Sequence, residues 1–264
     1  MFDINTEGKT MTLLRTLKIE KMPVFVFETS KSLGEAVANE FERKVISEID
    51  SKGEVSVILA TGNSQLAFME ALRMKKNIPW EKVNCFHMDE YLGMSEEHPA
   101  SFQRYIKEKL VNHVHPKAFY GINGDTDNVN EELERYKNLL LKHNPSICVL
   151  GIGENGHLAF NDPPADFETK EFIHVVNLDK ACRLQQVNEG HFPSFDAVPT
   201  QAITLTIPAL LSAKSVFAVV PELRKADAVA NSLFGSVTPD CPASILRTQN
   251  NTVLYLDKNS ASKI

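Results

Sequence analysis

Residues 55–76 read VSVILATGNSQLAFMEALRMKK. The first six, Val55–Ala60, are apolar but for Ser56 and rich in β-branched side chains, which suits a buried strand. Thr61-Gly62-Asn63-Ser64 is a turn. From Gln65 to Lys76, Leu66, Phe68, Met69 and Leu72 recur at helical spacing. Strand, short turn and amphipathic helix within 22 residues is the repeating unit of a parallel α/β sheet, and the rest of the chain repeats it. Upstream, Val24–Phe27 (VFVF) is a strand and Ser32–Ser51 a helix, closed by Gly53. Downstream, Val83–Met88, Ser146–Leu150, Val216–Val220 and Thr252–Leu256 read as strands. Ser101–Val111, Val129–His143 and Leu223–Phe234 read as helices. Apolar strands separated by helices mean a sheet buried on both faces. The expected fold is therefore one Rossmann-like α/β domain over residues 1–264, a mostly parallel sheet with helices on both faces. Residues 1–21 read as an N-terminal extension, and Gln185–Gln201, with Gly190, Pro193 and Pro199 and little helical periodicity, as a loop.

Composition narrows the function. The chain has 264 residues, 43% hydrophobic and 23% charged, which is ordinary for a globular protein. Its formal charge of −6 argues against nucleic acid or an anionic membrane as a partner. No apolar run is long enough for a membrane span. The first 21 residues mix acids and bases without an apolar core, so no signal peptide is expected. Cys85, Cys148, Cys182 and Cys241 show no metal-binding spacing. They read as reduced thiols of a cytoplasmic protein.

In parallel sheets ligands bind beyond the carboxyl ends of the strands, so the loops there carry the candidates. Thr61, Gly62, Asn63 and Ser64 could cradle an anion at a helix start, or form a plain capped turn. Asp89 and Glu90 follow the strand Val83–Met88. A carboxylate in a desolvated wall suits a general base; a solvated loop acid is the plainer alternative. Gly151–Asp162 (GIGENGHLAFND) also leaves a strand end. Its glycines read as missing the G-x-G-x-x-G spacing, which disfavours a dinucleotide site. His157 precedes Asp162 by five residues, close enough for the carboxylate to orient the imidazole. A structural histidine remains open there. Arg183 and Lys225 are either surface cations or anion ligands. Lys225 opposes a helix dipole unless an anion compensates.

Taken in order, TGNS, MDEY, EEHPASF and GIGENGHLAFNDP, followed by Arg183 and Lys225, resemble the glucosamine-6-phosphate deaminase/isomerase family. The likeness runs from about Val24 to Asp257, and it implies that residues from about 171 to 200 form a lid over the pocket, with a plain surface loop as the alternative. It implies roles residue by residue. Asp89 is the base that moves a proton from C2 to C1 of an open-chain amino sugar, and Glu90 supports its loop. His157 opens the pyranose ring, with Asn155 and Asp162 orienting it. Thr61, Gly62, Asn63, Ser64, Arg183 and Lys225 hold the 6-phosphate. No metal or organic cofactor is implied. The partner is a small sugar phosphate, glucosamine 6-phosphate or an epimer. The family contains monomers and hexamers, so homo-oligomerisation is left open.

This chain departs from the family in places. Asp162 stands where deaminases commonly carry Glu, and Asn63 where Gly or Ser is common. Acidic Asp166-Phe167-Glu168 replaces the hydroxyl and basic residues of allosterically activated members, so no such activation is expected. Two alternatives share the fold: a 6-phosphogluconolactonase, with His157 activating water, and a non-catalytic sugar-phosphate sensor. Related lactonases usually continue the glycine-rich element with Ser-Leu-Phe-Pro, unlike Ala159-Phe160-Asn161-Asp162 here.

Overall fold

The computed structural model describes residues 12–188 and 190–264. The elements in chain order begin β1 (Leu13–Ile19), β2 (Met22–Phe27), α1 (Ser30–Lys52), β3 (Val55–Leu59), α2 (Leu66–Arg73), β4 (Val83–His87) and β5 (Asp89–Tyr91). They continue with α3 (Phe102–Ile106), α4 (Asn112–Val114), β6 (Ala118–Tyr120), α5 (Val129–His143), β7 (Ile147–Leu150), β8 (Ile173–Asn177) and α6 (Lys180–Asn188). The last are β9 (Gln201–Leu205), α7 (Ile207–Leu211), β10 (Ser215–Val220), α8 (Ala226–Phe234) and β11 (Thr252–Asp257).

Eight strands form the main sheet in the order β1-β2-β11-β10-β7-β3-β4-β6. All its pairings are parallel except β1 with β2. Strand alternation divides the core between two faces. Val55, Val57 and Leu59 of β3 join Phe217 and Val219 of β10 in one cluster, with Leu33, Val37, Phe41, Val45 and Ile49 of α1. Ile58, Val216, Ala218 and Val220 point the other way, into a cluster with Tyr136 and Leu140 of α5 and Val229 of α8. Helices thus cover both faces.

Local chemistry sets the ends of α1. The Thr29 hydroxyl accepts from the Ser32 amide and Ser32 Oγ from the Thr29 amide, each at 3.1 Å. Gly53, at φ +84°, closes the helix in a left-handed turn.

Three expectations need correction. Residues 13–19 are not a free extension: β1 pairs antiparallel with β2 along the edge of the main sheet. Residues 1–11 lie outside the described part. A second sheet, β5-β9-β8, is antiparallel and was not foreseen. The stretch read as a lid without helical periodicity begins with β8 and α6; Gln185–Asn188 are the last turn of that helix.

Candidate active site

The site follows from the strand order. β10, β7, β3 and β4 are successive neighbours, and the chain turns back at β7 to fill the place between β3 and β10. Such a reversal leaves a crevice at the carboxyl ends of the strands. A cavity opens there, lined by Ala60–Ser64 after β3, Met88 and Asp89 after β4, Gly151–Gly153 and His157 after β7, and Arg224 and Lys225 after β10. Gln185, Gln186 and His191 approach from α6 and the loop beyond it.

Asp89 is 6% exposed and lies in β5, paired with Thr204 of β9. Its Oδ1 is buried and has no hydrogen-bond partner. Burial, then the charge of Glu90, pushes its carboxyl up to about 8. That is the setting in which a carboxylate becomes a strong base once it loses its proton.

The loop after β7 is built around His157. Gly153 N donates to His157 O at 3.0 Å, and Gly156 N to Gly153 O at 3.1 Å, winding the chain tightly. The imidazole packs on the Gly153 backbone: a Cβ there would lie 2.3–2.4 Å from Cε1, Nε2 and Nδ1. Asn155 Oδ1 accepts from the His157 amide and Asn155 Nδ2 donates to Asp162 Oδ1, each at 3.1 Å. Asp162 Oδ1 lies 3.1 Å from His157 Nδ1. Burial draws the Asp162 carboxyl up, but His157 and Asn155 outweigh it and hold it below the usual range. Asn155 and Asp162 thus stand behind His157, which itself faces the cavity.

The reading of the glycines also needs correction. Gly151, Gly153 and Gly156 do fit the spacing G-x-G-x-x-G. What excludes a dinucleotide site is the context: β7 leads into turns and a Leu158–Asn161 bridge, with no helix N-terminus to receive a pyrophosphate.

On the opposite wall, Gly62 adopts φ +92° and starts the turn into α2. Tyr105 Oη pins this loop by donating to Gly62 O at 2.9 Å. Thr61, Gly62, Asn63 and Ser64 all line the cavity. Lys225 lines it too and is only 4% exposed, at the start of α8.

Arg183 does not take the place expected of it. It is absent from the cavity wall. Its Nη2 donates to Phe195 O and Val198 O at 2.9 Å, and its guanidinium lies 4.0 Å from the Phe195 ring centre. It fastens the loop after α6. The second cation at the cavity is Arg224, held by Glu154 at 3.1 Å and by Glu222. Sequence reading passed over Arg224, although it adjoins Lys225. It also passed over Gln185 and Gln186, which nothing in the linear pattern marks. Cys182 was read only as a reduced thiol. Its sulfur gathers with His157 and Asp162, one ligand atom of each lying within 4.8 Å of the others.

Known proteins resemble this chain in sequence and fold. The sequence profile of the family described as glucosamine-6-phosphate isomerases/6-phosphogluconolactonase matches residues 28–255. A glucosamine-6-phosphate deaminase of Exiguobacterium sibiricum is 37% identical over 208 residues, 79% of this chain and 81% of that protein. One of Bacillus cytotoxicus is 33% identical over 241 residues, 91% of this chain and 88% of that protein. Among solved structures, a monomeric glucosamine-6-phosphate deaminase superposes with a TM-score of 0.84 at 29% identity, covering 91% of this chain and 99% of that one. A 6-phosphogluconolactonase of Shewanella baltica, at TM-score 0.76 and 19% identity, shares the fold over 91% of this chain and 100% of its own. By profile, identity and coverage, the chain belongs to the glucosamine-6-phosphate isomerase/6-phosphogluconolactonase family.

Proposed function

We propose that this protein is an amino-sugar 6-phosphate deaminase/isomerase, converting glucosamine 6-phosphate or an epimer, with water, to a ketose 6-phosphate and ammonia. The observation that carries this reading is Asp89, a buried carboxylate on the cavity wall with a value raised to about 8 and one oxygen without a donor. A lactonase needs only an activated water, for which His157 suffices. Moving a proton between adjacent carbons needs a base such as Asp89.

In this reading His157 shuttles the proton that opens the sugar ring. Asp89 then takes the C2 proton of the 2-amino aldehyde, giving an enolamine, and returns it to C1. Water adds to the resulting imine at C2, and ammonia leaves. Thr61–Ser64 and Lys225 hold the phosphate. Arg224 takes the part first expected of Arg183. Arg183 instead keeps the segment beyond α6 folded over the cavity as a lid, with His191 of that segment and Gln186 of α6 on the inner side. We place the enzyme in the cytoplasm; among the described residues no helix is long and apolar enough to cross a membrane.

The test is to incubate the purified protein with glucosamine 6-phosphate and with galactosamine 6-phosphate, measuring ammonia and ketose phosphate. Ammonia from either, abolished in Asp89→Asn, supports the reading. No ammonia from both, together with hydrolysis of a 6-phosphogluconolactone, would establish the lactonase instead.

A further inference from the structure

His157 backs onto two side chains from different parts of the chain. Asp162 reaches it from the same loop, and Cys182 from α6. One ligand atom of each lies within 4.8 Å of the other two. His157 Nδ1 faces Asp162 Oδ1 at 3.1 Å, and the other oxygen, Asp162 Oδ2, is buried without a hydrogen-bond partner. Cys182 is 1% exposed, and burial, then the carboxylates of Asp162, Asp179 and Asp89, push its thiol up.

An imidazole, a carboxylate and a thiol together form a donor set suited to zinc. Magnesium and calcium prefer oxygen ligands alone. Zinc bonds of about 2.0–2.3 Å place tetrahedral ligand atoms roughly 3–4 Å apart. His157 Nδ1 and Asp162 Oδ1 are 3.1 Å apart, already at that spacing. Three protein ligands leave the fourth position for water. The charges also balance: a doubly positive ion with one carboxylate and one thiolate is neutral, which suits a buried place.

We propose that His157, Asp162 and Cys182 form a zinc site that switches the enzyme off. Zinc bonds to His157 Nδ1, an Asp162 oxygen and Cys182 Sγ, and the thiol gives its proton to solvent without any change of oxidation state. The bound ion pins the imidazole and ends its proton shuttling. His157 lines the cavity, so an ion arriving through it meets the imidazole first. The inhibitory half of the proposal rests on the reading of His157 as the ring-opening group; the binding half does not.

The test uses the full chain, stripped with a chelator and titrated with zinc against a chromogenic competitor. One zinc per chain is expected, bound at least about tenfold more weakly by Cys182→Ser, since even outer-shell partners of metal ligands are worth that much. Cobalt in place of zinc should give a sulfur-to-cobalt charge-transfer band in the wild type, which also guards against a variant that merely folds poorly. Zinc should abolish ammonia release, excess chelator should restore it, and Cys182→Ser should resist. Equal zinc binding by Cys182→Ser, or a cobalt complex without the thiolate band, overturns the site. Zinc bound through Cys182 with undiminished turnover overturns the switch. Zinc bound through Cys182 in a chain that deaminates neither sugar upholds the site and sinks the functional reading instead.

Discussion

Asp89 and Glu90 are consecutive residues of β5, and their carboxylates meet opposite surroundings. Glu90 accepts from the amides of Tyr91, Phe102 and Gln103 and from Ser101 Oγ, at 2.8–3.1 Å, tying β5 to the start of α3. Burial pushes the Glu90 carboxyl up, and these donors restrain the rise. Asp89 Oδ1 accepts from nothing. Strand alternation separates the two: one side chain anchors the loop, the other faces the cavity. The cavity-facing acid works as a base only when ionised. We therefore expect kcat/KM to rise about tenfold per pH unit and to level off above about 8. A pH–rate profile on the amino-sugar phosphate checks this, and a profile flat across neutral pH would contradict it.

The same carboxyl links stability to pH. Its folded value lies above its unfolded one, so the folded chain holds a proton that the unfolded chain releases. The resulting stability is fully present below about pH 4 and is lost as the pH rises through about 8. Asp89→Asn removes the titration. Melting curves should show the variant gaining on the wild type as pH rises, while ammonia release falls by about 10²–10⁴. A constant difference in Tm across that window would rule the linkage out.

Gly153 tests the packing of His157. In Gly153→Ala the new methyl would occupy the space of the imidazole, and the ring must swing aside. Circular dichroism should be unchanged while kcat falls by about 10²-fold, since displacements near 1 Å cost that much. Full activity in this variant would mean that the ring's position does not matter.

Asp162→Asn keeps the shape beside His157 and removes the charge. A carboxylate orienting a histidine can be worth up to about 10⁴ in kcat in serine hydrolases. Here Asn155 also steadies the loop, so a fall of at least about tenfold is expected, with little change in KM. Steady-state kinetics separate the two, and a change confined to KM would reassign Asp162 to substrate binding.

Lys225 and Arg183 should part company. Lys225→Met should raise KM by about 10- to 100-fold, the worth of a charge-assisted hydrogen bond, and weaken competitive inhibition by inorganic phosphate to match. Arg183→Ala should leave phosphate inhibition nearly intact but expose residues 190–200 to protease, because the clamp on Phe195 and Val198 is gone. The reverse pattern would return Arg183 to the phosphate.

The parallel core was legible because its strands, such as Val55–Leu59 and Ser215–Val220, are buried on both faces and so are apolar but for one serine each. β1 escaped notice because an edge strand with exposed Arg15 and Lys18 has no such signature. β5 escaped because Asp-Glu-Tyr resembles a loop until β9 is there to pair with it. Arg183 was misplaced for a helical reason. Residues 182, 185 and 186 share one face of α6, and residue 183 is turned about 100° away, toward Phe195. A linear string lists these residues as neighbours without stating which way each points.

The four loops around the cavity come from as far apart as residues 60 and 225, and they converge only because β7 is seated between β3 and β10. No contiguous fragment holds the whole constellation. Closing such distant segments is the slow part of folding in sheets of this kind. Turnover should therefore appear late and all at once during refolding, behind helix formation, which makes ammonia release a clock for the arrival of the central strand.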